Sequence, residues 1–372
     1  MTKHKGRLFM NTPVKDQYRV SHYLAFFLVF KMQVGVGVMG FQRFIAKSAD
    51  HDAWISVILS GISIHLLLWM MYQMLNKERN DLISIHHTAF GKWIGGLFSF
   101  IFIVYAIFTG IVVFRNFVEI IQVWLFPLFK TWPFTLVCLM GVYYAVIHGF
   151  RTVTGICYLG TVVPLVLLLT FLAPVEFADF RNLLPVYDHS IEELLLGAKE
   201  MTFSMLGFEL VLMYYPFLQQ PEKSQKWAHF GNLFTTSIYL VVAIITFAYF
   251  SQEHLQTEIW PSLAMWKVIR LPVVERFEYL AITAWVIIIL PNLALGLWAA
   301  SRGAKRLFQV NQRKALLFIL LFTFIVICSL TERAQINQLT NVIAQFGNYF
   351  LYAYIPLLFV IYQIRFRMRR KS

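Results

Sequence analysis

The feature that most constrains this chain is its succession of long apolar runs. A helix needs about 20 apolar residues to cross the hydrocarbon core of a bilayer. Ten such runs lie near 21–42, 53–74, 94–125, 133–149, 152–174, 194–218, 228–250, 276–303, 314–331 and 343–364. Of the 372 residues, 59% are hydrophobic and 14% charged. Soluble domains carry about a quarter charged residues, and no soluble fold of this size hides so much apolar surface. Only helices fit these runs, because backbone groups in lipid must be satisfied within the segment; the alternation of a barrel strand is absent. The sequence therefore predicts an all-α integral membrane protein of about ten transmembrane helices. Spans 3 and 8 exceed a straight crossing and are expected to tilt.

The net charge of +13 invites comparison with nucleic-acid binders. The basic residues, however, sit in short clusters between apolar runs, so membrane lipid is the partner expected and nucleic acid is not. Orientation follows from Lys and Arg. With the N-terminus inside, the inner segments hold 21 of them and the outer segments 8. Both termini are then cytoplasmic, with tails at 1–20 and 365–372. The first run is too long for a signal h-region and lacks a small-residue cleavage site, so it reads as a retained span. Cys138, Cys157 and Cys328 lie in apolar runs without a CxxC pair, which indicates neither a disulfide framework nor a metal site.

Two spans carry interruptions. Span 1 contains Val34-Gly35-Val36-Gly37-Val38-Met39-Gly40, and each glycine weakens a helix by about 1 kcal/mol relative to Ala. Taken alone, the string also suits close helix packing. Span 6 contains Phe203-Ser204-Met205-Leu206-Gly207-Phe208-Glu209, a glycine beside an ionisable residue deep in an apolar segment. The ten spans divide into two sets of five, about 21–174 and 194–364, within one domain over 1–372. Each set begins with an interrupted span, and an odd-numbered unit places the halves inverted in the membrane. Interruptions at corresponding places point to a midplane binding site. The N–H groups freed at a half-helix start suit a carboxylate, and freed carbonyls suit an ammonium. A zwitterionic amino acid fits both.

The span 1 string resembles the glycine-rich stretch of the amino acid–polyamine–organocation transporter superfamily, and Gly207-Phe208-Glu209 resembles its span 6 motif. More narrowly, the chain resembles the B subunits of nutrient germinant receptors, the spore germination proteins of endospore-forming bacteria. Gly35-Val36-Gly37-Val38, Asp52-Ala53-Trp54-Ile55, Asn182-Leu183-Leu184-Pro185 and the Arg276, Glu278, Trp285 pattern carry this likeness. It implies a leucine-transporter-type fold with broken helices 1 and 6. It also implies location in the spore inner membrane, with a larger A subunit and a lipoprotein C subunit as partners. Phe41-Gln42 departs from the Leu-Pro pair that often follows the family's glycines, so the ligand is less determined than the fold.

The expected ligand-binding residues are Val34, Gly35, Val36, Gly37 and Val38 of span 1 and Phe203, Ser204, Met205, Leu206 and Gly207 of span 6. The resemblance assigns the ligand ammonium to the carbonyls of Phe203, Ser204 and Leu206. Tyr105 and Thr109 share a face of span 3, and Pro291, Asn292 and Leu295 are the span 8 candidates; ordinary helix packing accounts equally for Tyr105 and Thr109. Glu209 is the leading gating residue. Lys31 precedes the glycines by one turn, where a fixed charge can stand in for a coupling cation. Arg115 and Glu119, four apart, are expected to neutralise each other. His65 and His148 lack ligand-spaced companions, and His86-His87 is placed in an inner loop. No metal, cofactor or catalytic motif is read. The leading expectation is a sensor that binds an amino acid or similar small nutrient and signals through partner subunits. The alternatives are an amino acid permease and a structural subunit with a vestigial pocket.

Overall fold

The computed structural model describes residues 14–371 apart from 271, 273 and 274. The tail expected before residue 14 lies outside the described residues. Within them the chain is helical, and no strand forms beyond a single bridge between Val20 and Leu218. Seven stretches are long and apolar enough to cross a membrane: Phe41–Glu78, Leu82–Leu125, Phe150–Phe177, Pro221–Tyr249, Phe277–Phe308, Gln312–Ser329 and Arg333–Arg369. Thr131–Ile147 is a shorter apolar helix and corresponds to span 4.

Spans 1 and 6 escape a length criterion because each is broken. Span 1 runs as Ala25–Gln33, stops, makes a tight turn over Val36–Met39 and resumes as Phe41–Ala49. A reversed backbone at Asp50 separates it from span 2, Ala53–Glu78. Span 6 runs as Ile191–Ser204, opens, and restarts at Phe208–Leu210 and Val211–Tyr214. A capping box between Ser190 and Glu193 starts it, satisfying two orphan N–H groups.

Three boundaries differ from the sequence expectation. Span 3 begins at Leu82, so His86 and His87 lie in a helix that kinks at Gly91. His86 is buried there, bonded to Ser99 and Tyr354. Span 10 begins at Arg333, ten residues early, because its first turns are polar yet helical. The 365–372 tail is instead largely the helical continuation of span 10, through Lys371.

Close approach of helices rests on small residues. Gly231 of span 7 lies against Phe26, where an added Cβ would sit 2.7 Å from the Phe26 carbonyl oxygen. Gly160 of span 5 meets Pro291 of span 8 in the same way. Exposed apolar side chains recur at helical spacing on the outer spans, as with Phe318, Leu321, Phe322 and Ile325 of span 9. This is the face a lipid bilayer covers. Spans 3 and 8 pack along each other through the centre and carry the long buried faces around which the broken spans sit.

The Gly231 contact makes a test. Gly231→Ala forces spans 1 and 7 apart, and overpacking of this kind costs about 1–3 kcal/mol. The purified protein in detergent should therefore melt at a lower temperature; an unchanged melting temperature contradicts the packing described.

Candidate functional site

The two breaks face each other across a cavity of about 330 Å³. From the expected set, Gly35, Val36, Gly37, Tyr105, Thr109, Phe203, Ser204, Leu206, Gly207, Glu209 and Asn292 line it. Val34, Val38, Met205, Pro291, Leu295 and Lys31 do not. Their places have local causes. Val38 is fully buried and its carbonyl accepts from Ser262. Met205 lies behind the break near Ser60. Pro291 faces span 5 at Gly160, and Leu295 is buried within the helix packing.

At the span 1 break the freed carbonyls are met by side chains. Val34 O accepts from Lys31 Nζ at 3.2 Å and from Asn292 Nδ2 at 3.2 Å. Gly35 O accepts from Trp285 Nε1 at 3.3 Å. Lys31 is 1% exposed, so it does not snorkel; its Nζ sits on the break itself. Gln42 donates to Thr246 and Ser262 and so fixes the helix that resumes.

The span 6 break is held from both ends. Tyr239 Oη lies 3.0 Å from Ser204 O and 3.0 Å from Gln33 O. One hydroxyl of span 7 thus touches the last carbonyls of both first halves. The N–H of Leu206 donates to Phe203 O at 3.4 Å, and that of Met205 donates to Thr202 O at 3.0 Å. A carbonyl carries two lone pairs, so Ser204 and Phe203 each retain acceptor capacity. Gly207 adopts φ +105, a conformation that disfavours side chains, and a Cβ there would meet Met32 at 2.9 Å. Its N–H donates to Glu209 Oε2 at 2.8 Å, while Glu209 Oε1 accepts from Tyr105 Oη at 2.8 Å. Glu209 is 1% exposed and ties the break to span 3. The N–H groups at the start of the Val36–Met39 turn have no intrahelical partner by construction, and Val36 and Gly37 both line the cavity.

Sequence reasoning missed the cavity's mouth. Met32, Gly40, Arg43, Phe44, Lys47, Asn116, Trp260, Arg333, Asn337, Thr340, Asn341 and Ile343 also line it. Asn337, Thr340 and Asn341 form an i, i+3, i+4 stripe on span 10, a signal that was present in the sequence. Arg115 and Glu119 attract each other but form no direct ion pair; their bonded partners lie elsewhere. Arg115 donates to Leu330 O and Gln122, and Glu119 pairs with Arg333 at 2.8 Å. Leu330 follows span 9, where a helix end leaves carbonyls unsatisfied, and Arg333 reaches Glu119 from span 10.

His65 does have a companion: its Nδ1 lies 2.8 Å from His229 Nδ1. His51, Asp52 and His189 cluster closely enough to suggest a metal. The Asp52 carboxylate, however, already accepts from the backbone N–H groups of Tyr187, Asp188 and His189. That makes Asp52 the clamp that holds the loop before span 6 against the start of span 2.

An all-helical bundle with two broken spans around a central cavity is a leucine-transporter-type membrane fold. The fold matches MhsT, solved in complex with L-phenylalanine, with TM-score 0.59 and 14% identity over 92% of this chain and 98% of that one. It matches a manganese transporter of Eremococcus coleocola with TM-score 0.62 and 14% identity, over 91% and 78%. The chain belongs to the spore germination protein family, whose model matches residues 19–336. It is 42% identical to spore germination protein GerQB of Bacillus cereus over 95% of this chain and 98% of that protein. It is 23% identical to spore germination protein YndE of Bacillus subtilis, over 90% and 93%.

The Tyr105–Glu209 bond makes a second test. In a double-mutant cycle of Tyr105→Phe and Glu209→Ala, the two changes should couple by about 1 kcal/mol or more in unfolding free energy. Additive effects contradict the direct bond.

Proposed function

We propose that the chain is the B subunit of a nutrient germinant receptor, binding an amino acid or similar small nutrient between the breaks of spans 1 and 6. One observation carries the reading: both interruptions open onto the same cavity. The N–H groups at Val36 and Gly37 take a ligand carboxylate, and the remaining acceptor capacity at Phe203, Ser204 and Leu206 takes an ammonium. Tyr105, Thr109 and Asn292 shape the walls. Glu209 gates, because it couples the span 6 break to span 3. Lys31 holds the span 1 break with a fixed charge where an ion-coupled transporter needs a cation. Likeness to a protein solved with an amino acid bound and to spore germination proteins supports the assignment.

In this reading the membrane is the spore inner membrane and both termini face the spore core. The cavity then opens outward, toward arriving nutrient. Signalling passes to a larger A subunit and a lipoprotein C subunit. Binding biases the protein only through different affinities for two arrangements of its breaks. A permease with the same cavity is the second reading, favoured by the transporter fold of the structural neighbours.

Gly207 tests the placement. Gly207→Ala forces a strained backbone and a clash with Met32. It should abolish the germination response of spores and ligand binding by the purified chain, with the protein still in the membrane. A normal response contradicts the site.

A further inference from the structure

The mouth of the cavity carries charge that nutrient binding at the breaks leaves unused. Gly40, Arg43, Phe44 and Lys47 line it from the second half of span 1, at i, i+3, i+4 and i+7, one helical face. Arg333 joins them from span 10. The lining therefore holds three basic side chains and one acidic one, Glu209. Glu209 is committed to Tyr105 and Gly207. Arg333 is neutralised by Glu119 and lies over the Trp260 ring.

Arg43 and Lys47 have no carboxylate within ion-pairing distance among the described residues. The Arg43 Nε atom is buried without a hydrogen-bond partner, and such a group is costly until something satisfies it. Helix-end electrostatics explain Lys47, in the last turn of Phe41–Ala49, where cations are favoured. They do not explain Arg43, which stands in the first turn, at the positive end. Helix side chains tilt toward the N-terminus, so Arg43 leans back toward the break.

We infer that the nutrient is an acidic amino acid, its side-chain carboxylate held by Arg43 and drawn in by Lys47. This rests on the cavity being a nutrient site. A guanidinium binds carboxylate through charge-assisted bonds, and a positive mouth with low-dielectric walls concentrates anions.

The test is equilibrium binding of radiolabelled glutamate, glutamine and leucine to the full chain in nanodiscs of neutral phosphatidylcholine. Glutamate should bind at least about tenfold tighter than glutamine at low salt, with the preference shrinking as salt rises. Arg43→Gln should remove the preference. Lys47→Gln, an exposed change, should slow glutamate association and leave leucine unaffected. Glutamate and glutamine binding equally, or leucine binding better than glutamate, overturns the inference while the nutrient site stands. A preference that survives both substitutions overturns it as well. Loss of the preference on adding phosphatidylglycerol assigns the two cations to lipid headgroups and also overturns it. Binding of none of the three amino acids overturns the inference, while the nutrient site itself is decided by the Gly207→Ala response.

Discussion

Every part of this structure answers to one constraint: a helix broken inside a bilayer frees backbone groups that lipid cannot satisfy. The molecule meets that constraint with side chains brought from other spans. Lys31 and Asn292 cover Val34 O, Trp285 covers Gly35 O, and Ser262 covers Val38 O. Tyr239 stands between Gln33 O and Ser204 O, and Glu209 covers the Gly207 N–H. Lys31, Asn292, Ser262 and Glu209, buried polar residues of this otherwise apolar protein, thus serve the open backbone. Trp285, part of the pattern that opens span 8, acquires a physical role as a brace of span 1.

The same arrangement bears on how binding is felt elsewhere. The breaks are held by directional bonds from spans 3, 7 and 8 rather than by continuous helix packing. A ligand that replaces or strengthens one of these bonds changes the balance among several helices at once. Tyr239 is the shortest such link, since one hydroxyl touches both first halves. Glu209 and Tyr105 form the other, joining the span 6 break to the central span 3. Two arrangements of so few bonds suffice for a receptor that signals by population shift.

Much of the fold was legible because lipid enforces simple rules. Apolar run length gave the spans; the glycine string gave the break in span 1, and the glycine near Glu209 gave the break in span 6. Gly35, Gly37, Gly207 and Glu209 were found this way and all line the cavity. What escaped was polar helix. Residues 82–93 and 333–342 fold as helix yet lack the apolar density that marks a span, and the part of the mouth carried by Arg333, Asn337, Thr340 and Asn341 was missed with the second segment. The Arg115–Glu119 pairing was inferred from spacing along one helix. Partners from spans 9 and 10 won instead, because they supply an orphan carbonyl and an opposite charge that no local spacing reveals. Tyr239 left no signal at all, since a tyrosine within an apolar span has no periodicity of its own.

The central claim is that this chain binds a nutrient between its breaks and does not carry it across the membrane. The most direct measurement reconstitutes the purified chain in liposomes and follows radiolabelled amino acids, with equilibrium binding and time-dependent accumulation read on the same sample. Saturable binding without accumulation inside the liposomes is the predicted result. Accumulation that continues beyond the number of binding sites would contradict it and make the chain a permease.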